Sequence, residues 1–498
     1  MREQLPALQI VLPMIAAPLV VLLRRRLPSW GLAIAASWAT FFISVSLLQR
    51  ALIEGPIRYA LGGWAPPWGI EYRIDALSGF VLMLVSLIGA VVLTYAPRSV
   101  AAEVPRDRHH LFLAAYMLCL TGLLGIVITG DLFNVFVFLE VSALSSYVLI
   151  GLGRGRQALT AAFQYLVLGT IGATFILIGI GLLYMMTGTL NMADIAQRLP
   201  QVATTRTVLA GLGFLSIGLF IKMALFPLHV WLPNAYSYAP SMVTAFLAAT
   251  ATKVSVYVTL RFVFAISAIE MKWGTSKLGT MLIGLSLAGI LVASTVAIFQ
   301  RDAKRLLAYS SVAQIGYMVL GIGFASVTGL TATIVHLFNH ALTKGGMFLA
   351  LGCIAYRMAP KNGLPTDALR GIGRRMPWTS FAFVLGGLSL IGVPLTAGFI
   401  SKVYLIRAAL EVGMWPIAAA VLFSSLLAVI YVWRLVELIY FFPPLDPQND
   451  ESVREAPLSM LVATWALVLA AIAFGIWTAG SADIARDAAT MLLEAAQR

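Results

Sequence analysis

Runs of about 20 apolar residues, the length at which a helix crosses a hydrocarbon core, recur along this chain of 498 residues. They fall near residues 5–23, 31–50, 76–96, 111–129, 132–151, 160–187, 207–226, 242–264, 278–299, 306–325, 328–356, 377–396, 414–442 and 457–478, which makes about fourteen spans. In lipid each backbone polar group must be satisfied within its own segment, so runs of this length read as helices. An all-α integral membrane fold follows. The composition agrees, being 60% hydrophobic and 11% charged, where a soluble chain carries about 25% charged residues. The longest connections, 51–75 (with GGWAPPWG at its centre), 188–206, 357–376 and 443–456, leave no room for a soluble domain.

A net charge of +13 would point to nucleic acid in a soluble protein. Here the arginines lie in short loops between apolar runs, so membrane orientation explains them and no nucleic-acid partner is expected. The first run, Leu5–Leu23, follows Arg2 and Glu3 and precedes Arg24, Arg25 and Arg26, with no small-residue cleavage site after it. It therefore reads as a span and not as a signal peptide. Placing Arg24–Arg26 in the cytoplasm puts seventeen loop lysines and arginines on that side and twelve on the other. That excess has the sign of the positive-inside rule, and both termini then face away from the cytoplasm of a bacterial-type inner membrane. Cys119 and Cys353 lie inside apolar runs, so neither a disulfide framework nor a cysteine-held cofactor is expected. The GLGRGR run at Gly151–Arg156 follows a membrane helix and not a strand, so it is a turn and not a phosphate loop. His109 and His110 fall in a loop.

Two spans carry a lysine beside a proline. Lys222 precedes Pro227 in the seventh, and Lys402 follows Pro394 in the twelfth. Proline removes a donor and clashes with the preceding turn, so both helices should break, the seventh just after Lys222. The matching breaks are five spans apart. An odd offset implies two five-helix units of opposite topology, spans 4–8 and 9–13, an arrangement in which broken helices line the path of an ion. The expected divisions are 1–110, 111–264, 265–442 and 443–498; two unrelated proline kinks are the alternative.

Charge inside the spans is sparse. Glu140 is the single carboxylate well inside one, and pairing it with Lys222 would keep both charged in a low-dielectric interior. Lys253 sits mid-span among small residues, where a snorkelling lysine would sit near an end. His336, His340 and Lys344 fall at i, i+4 and i+8, drifting about 40° per step on a helix, so all three share one face. Histidine relays protons near neutral pH. A packed polar stripe is the second reading, and a metal pair the third, because two histidines without a nearby carboxylate make a poor metal site. Left unpaired, Lys222, Lys253, Lys344 and Lys402 would cost on the order of 12 kcal/mol together, at roughly 2.5–3.5 kcal/mol each. A hydrated or paired polar seam at half height resolves that cost. Arg434 and Glu437, at i and i+3, suit a local salt bridge near the interface. No catalytic, metal-binding, nucleotide or haem motif stands out, and no cofactor is expected.

GDLFNVFVFLEVSALSSYVLIG, KMALFPLHVWLPNAYSYAPSMVTAFLAATATKVSVY, DAKRLLAYSSVAQIGYM and HLFNHALTKGGMFL resemble the proton-translocating antiporter-like family. This family comprises the large antiporter-like subunits of respiratory complex I, their relatives in membrane-bound hydrogenases, and the Mrp cation/proton antiporters. The resemblance covers about residues 70–440, and YMMTGTLNMADIA looks most like the D-type subunit of the Mrp antiporters. It implies an ion pair of Glu140 with Lys222, a central relay of Lys253, His336, His340 and Lys344, and Lys402 as the terminal lysine of the second half-channel. One departure stands out. Ser310, Ser311 and Gln314 occupy the tenth span where a second acid would mirror Glu140, so an acid for Lys402 would have to come from elsewhere.

The resemblance implies a subunit exchanging protons for sodium or another monovalent cation, working with other subunits in the lipid bilayer. The alternative is the proton-pumping limb of a redox complex, with an inorganic-carbon uptake system as a third possibility. The identity of the partner subunits would discriminate between them.

Overall fold

The computed structural model describes residues 2–24, 26–153, 155–266, 277–359, 363–444 and 453–497. Arg25, Arg154, Lys272, Lys361 and Arg498, which enter the loop charge count, lie outside the described residues. The first eleven helices are α1 Leu5–Leu23, α2 Arg26–Ile53, α3 Ala76–Glu103, α4 His109–Ile128, α5 Leu132–Gly151, α6 Arg156–Thr187, α7 Met192–Arg198, α8 Arg206–Met223, α9 Trp231–Tyr238, α10 Ser241–Ala249 and α11 Ala251–Arg261. The remainder are α12 Lys277–Ile298, α13 Ala303–Gly323, α14 Val327–Met358, α15 Pro377–Ile391, α16 Ala397–Glu411, α17 Trp415–Tyr440, α18 Leu458–Ile476 and α19 Ala479–Gln497.

Among the described residues, twelve helical segments are long and apolar enough to cross a membrane. Two further crossings make fourteen. One is α14, 32 residues long and about 48 Å at 1.5 Å per residue, whose histidines and lysine lower its hydropathy. The other is the pair α15–α16, divided by a break. Alternation of the crossings gives the molecule two faces. We call them the arginine face, where α1 ends at Arg24, and the hairpin face, which carries the strands β1 Ile57–Ala60 and β2 Glu71–Ile74.

Both expected breaks are present and are built alike. Helix α8 stops at Met223, where Ala224 takes a left-handed φ of 58°. Its N–H bonds Ile221 O and the next N–H, of Leu225, bonds Phe220 O. Helix α15 stops at Ile391, where Gly392 has φ 90°, bonding Ser389 O, and Val393 bonds Leu388 O. In each, the two donors close orphan carbonyls of the last turn, and a proline (Pro227, Pro394) follows to prevent resumption.

The second helix of each five-helix unit begins alike as well. Asp131 caps α5 by accepting from Asn134 N, and Asp302 caps α13 by accepting from Arg305 N. Each aspartate also forms an isolated strand-like bridge to a later loop, at Asn191 and at Pro365. Because α5 and α13 enter from opposite faces, the same small construction appears once on each side of the molecule.

Several local features differ from the sequence reading. Residues 51–75 hold an antiparallel hairpin, with Ile57 opposite Ile74. His109 opens α4 and is buried, its Nε2 3.2 Å from Val104 O, and so does not lie in a loop. The eighth span is interrupted at Thr250, whose φ of −124° and ψ of −60° separate α10 from α11. Past α18 the chain forms α19, which packs Ala485, Ala488, Ala489 and Leu492 inward. Arg434 does not pair with Glu437; its guanidinium donates to Ile298 O (2.5 Å) and Gln300 O (3.0 Å), capping the end of α12.

Candidate functional site: a buried lysine–histidine seam

At the first break Lys222 Nζ stands 3.2 Å from Glu140 Oε1, linking α8 to α5. The partners differ in environment: the Lys222 side chain is 4% exposed and that of Glu140 is 25% exposed. Glu140 shares the outward side of α5 with Phe133, Val137, Leu144 and Val148, all exposed. A carboxylate therefore sits on an otherwise apolar surface at mid-membrane depth. The break itself is supported by Trp231, whose Nε1 donates to Ile221 O at 2.9 Å while its ring stacks on Tyr165 at 3.9 Å.

Lys253 is fully buried. The interruption at Thr250 explains where its charge goes. A kink frees a carbonyl, and Lys253 Nζ donates to Ala248 O at 2.5 Å and to Thr252 Oγ1 at 3.3 Å. Between this lysine and the Glu140–Lys222 pair lies a cluster of buried tyrosines. Tyr147 and Tyr165 meet edge to face at 4.7 Å, and Tyr165 is within electrostatic reach of Glu140 and Tyr236. Tyr236 in turn donates at 3.3 Å to the carbonyl of Leu247, the residue before Ala248, whose carbonyl holds Lys253.

The α14 residues form the middle of the seam. His336 and His340 stack with centroids 5.7 Å apart and planes 10° off parallel. Lys344 donates to Leu307 O at 2.8 Å and to Ser310 Oγ. Lys253 lies within electrostatic reach of His336, His340 and Lys344. Both ring nitrogens of His340, and Nε2 of His336, have no protein partner. A buried polar atom left bare costs about 1–3 kcal/mol, so these rings suit a site that holds water or exchanges partners.

The second break closes the seam. His336 Nδ1 is 2.7 Å from Ser401 Oγ, beside Lys402 on α16. Lys402 Nζ donates to Leu390 O (3.3 Å), Ile391 O (2.7 Å) and Ser425 Oγ (2.9 Å). It lies 5.2 Å from the ring of Tyr317, whose hydroxyl is 2.6 Å from Ser424 Oγ. Among the described residues no carboxylate contacts Lys402. Three of the four lysines are thus solvated by carbonyls and hydroxyls, and one by an acid.

The seam residues singled out in the sequence fall into three groups: Glu140 with Lys222, Lys253 with His340 and Lys344, and His336 with Lys402. The connecting groups Tyr147, Tyr165, Tyr236, Tyr317, Ser401, Ser424 and Ser425 were missed. The adjacency of Ser401 to Lys402 was the one available signal. Also missed was a polar cavity of about 110 Å³ on the arginine face, where Lys304 Nζ donates to Ser241 Oγ (2.9 Å) and Glu103 Oε2 accepts from Ser241 N (2.7 Å).

Residues 129–428 match the family described as NADH:quinone oxidoreductase/Mrp antiporter, transmembrane. The chain is 41% identical over 490 residues to an N-type subunit of NADH-quinone oxidoreductase from Desulforudis audaxviator, covering 96% of each chain. It is 30% identical over 480 residues to the D-type subunit of a Na(+)/H(+) antiporter from Alkalihalophilus pseudofirmus, covering 95% of this chain and 94% of that one. Among solved structures, a chain of the membrane-bound sulfane sulfur reductase, an archaeal respiratory membrane complex, superposes with a TM-score of 0.90 at 30% identity over 99% of both chains. This chain belongs to the NADH:quinone oxidoreductase/Mrp antiporter transmembrane family.

Proposed function

We propose that the chain is the proton-translocating subunit of a multisubunit monovalent cation (Na+)/proton antiporter. Protons move along the mid-membrane series Glu140, Lys222, Lys253, His340 and Lys344, His336 and Lys402. The observation that carries this reading is the seam itself: four lysines in helices that cross a membrane, each held by a weak, exchangeable set of ligands. Groups of this kind gain and lose protons with small movements, and a charge arriving at one is felt by the next. Under the same reading, residues 111–264 and 265–442 act as two units of opposite topology, each opening its half-channel to one face. The arginine face is cytoplasmic, both termini face outward, and the membrane is a bacterial inner membrane.

Partner subunits belong to this proposal. Glu140 lies on a lipid-height surface, and a lone carboxylate there is costly, so a neighbouring subunit is expected to cover it. Among the described residues the chain also presents no cage of clustered carboxylates for a hard cation, so the cation path is assigned to the partners.

A second reading has its own support. The 41% identity to a quinone oxidoreductase subunit exceeds the 30% to an antiporter subunit, which favours the same seam driven by electron transfer in partner subunits. Purifying the chain with its native partners and assaying proton movement in proteoliposomes separates the two. Uptake driven by a sodium gradient supports the first, and uptake driven only by an electron donor together with a quinone or other electron acceptor supports the second. Proton movement unaffected by Lys253→Met would refute the seam under either.

A further inference from the structure

The outer half of the eighth span continues the seam in a direction the lateral series does not use. Lys253, Tyr257 and Arg261 lie at i, i+4 and i+8 of α11, on one helix face. Helical side chains lean toward the N-terminus, so Tyr257 leans over the turn of Lys253 and Arg261 over that of Tyr257. Arg261 Nε donates to the Tyr257 hydroxyl at 3.1 Å, and its guanidinium lies 5.3 Å from the ring. The Tyr257 hydroxyl donates to Val127 O at 2.8 Å. Arg261 also pairs with Asp75 Oδ1, at the start of α3. The Asp75 side chain is 1% exposed and that of Arg261 13%.

This cluster is not fully satisfied. Asp75 Oδ2 and Arg73 Nε are buried with no protein partner. Beside them is a cavity of about 50 Å³ lined by Glu71, Arg73, Thr129, Tyr257, Val258 and Arg261. Most of its lining is apolar, with Ile126, Val135 and Met192 among it, but its charged and hydroxyl groups give an ordered water polar partners, and it lies beneath the hairpin strands. Polar groups thus run from Tyr257, one helical turn past Lys253, to the hairpin face, with the Asp75–Arg261 pair standing across them.

We propose that Lys253 has its own outlet to the hairpin face, past Tyr257 and through the Glu71–Arg261 cavity, and that the Asp75–Arg261 pair gates it. This rests on the seam carrying protons. The Lys253 ammonium gives its proton to water admitted past Tyr257 and becomes a neutral amine, and that water passes the proton on through the cavity to the hairpin side. Tyr257 orders the water, and the fixed charge of Arg261 opposes return of a cation. Asp75, Tyr257 and Arg261 are positioning residues in this scheme. The outlet lies in the first unit, so a proton can leave at the centre of the seam without reaching Lys402.

The test uses the assembled complex in sealed vesicles. Val258→Cys is labelled with a membrane-impermeant thiol reagent applied to either face, against the unmodified chain, whose Cys119 and Cys353 are buried. Labelling is expected from the hairpin face only, and about tenfold faster when Asp75→Asn weakens the charged pair. Tyr257→Phe should slow proton flux while leaving labelling unchanged, with thermal stability lowered because Val127 O and Arg261 Nε lose their partner, and Asp75→Glu, which keeps the charge, should keep labelling slow. Labelling from the arginine face, or a rate indifferent to Asp75, would overturn the gate even if no proton flux were measured. Gate-dependent labelling with full flux in Tyr257→Phe would overturn the outlet and leave the seam standing.

Discussion

Replacing Glu140 with alanine tests the seam at its one acid. The carboxylate stands 3.2 Å from Lys222 Nζ; at an effective dielectric constant of about 20, unit charges at that separation attract by about 5 kcal/mol. Because a quarter of the Glu140 side chain is exposed, part of that is returned by solvent or a partner, and about 3 kcal/mol is a working figure for breaking such a pair. At 1.4 kcal/mol per factor of ten, that is about a hundredfold in the equilibrium constant for holding the pair together. Glu140 contributes little packing, so Glu140→Ala should insert and assemble normally while proton movement falls by about that factor. Glu140→Asp keeps the charge and retracts it by one methylene, and should retain part of the activity. The assay is dye-reported acidification of everted vesicles carrying the complete complex, with assembly checked on native gels. Acidification by Glu140→Ala at the wild-type rate, with wild-type assembly, would refute the pair's role.

Lys402→Met should abolish proton movement and lower stability by about 2–4 kcal/mol, since it strips a donor from two carbonyls and a hydroxyl; thermal unfolding of the detergent-solubilised complex reads the second effect. Lys253→Met and His340→Leu should block transport while cysteines beside Lys222 and Lys402 remain accessible from opposite faces, and access to both from one face would contradict two inverted half-channels. The chain expressed without partners should give little or no sodium–proton exchange, and robust exchange by the purified single chain would refute the need for them. Burial alone would raise the Asp75 carboxyl, but Arg261 outweighs it and holds it below its ordinary 3.8. The stability it contributes should therefore be complete above pH 3.8 and lost as pH falls through its lower folded value, a loss that acid titration of unfolding would show missing in Asp75→Asn.

Lipid makes much of this fold legible. Leu132–Gly151 or Leu458–Ile476 can be read as helices because an unpaired backbone has no alternative at that depth. Pro227 and Pro394 announce their breaks for a similarly local reason. The interruption at Thr250 has neither proline nor glycine to announce it, and with it went the explanation for Lys253, whose ligand is the carbonyl of Ala248. Backbone acceptors have no letter in a sequence, so the partners of Lys344 and Lys402 were out of sight as well. Spacing misled at Arg434, where the i+3 acid was available but the open end of α12 offered better-placed acceptors. The seam residues could be named because charge in an apolar run is rare. The tyrosines and serines between them could not, because in such runs those residues are common.

The second break has a consequence for how chemistry becomes movement. An ammonium has three N–H bonds, and Lys402 uses them on Leu390 O, Ile391 O and Ser425 Oγ. Two of those acceptors are the loose end of α15, and the lysine itself stands on α16. An amine has only two N–H bonds. When Lys402 surrenders a proton in the proposed relay, either a carbonyl of α15 is released or Ser425 on α17 turns its hydroxyl to donate to the amine. On the first of these courses the proposed proton transfer would loosen the joint between the two half-helices by one hydrogen bond.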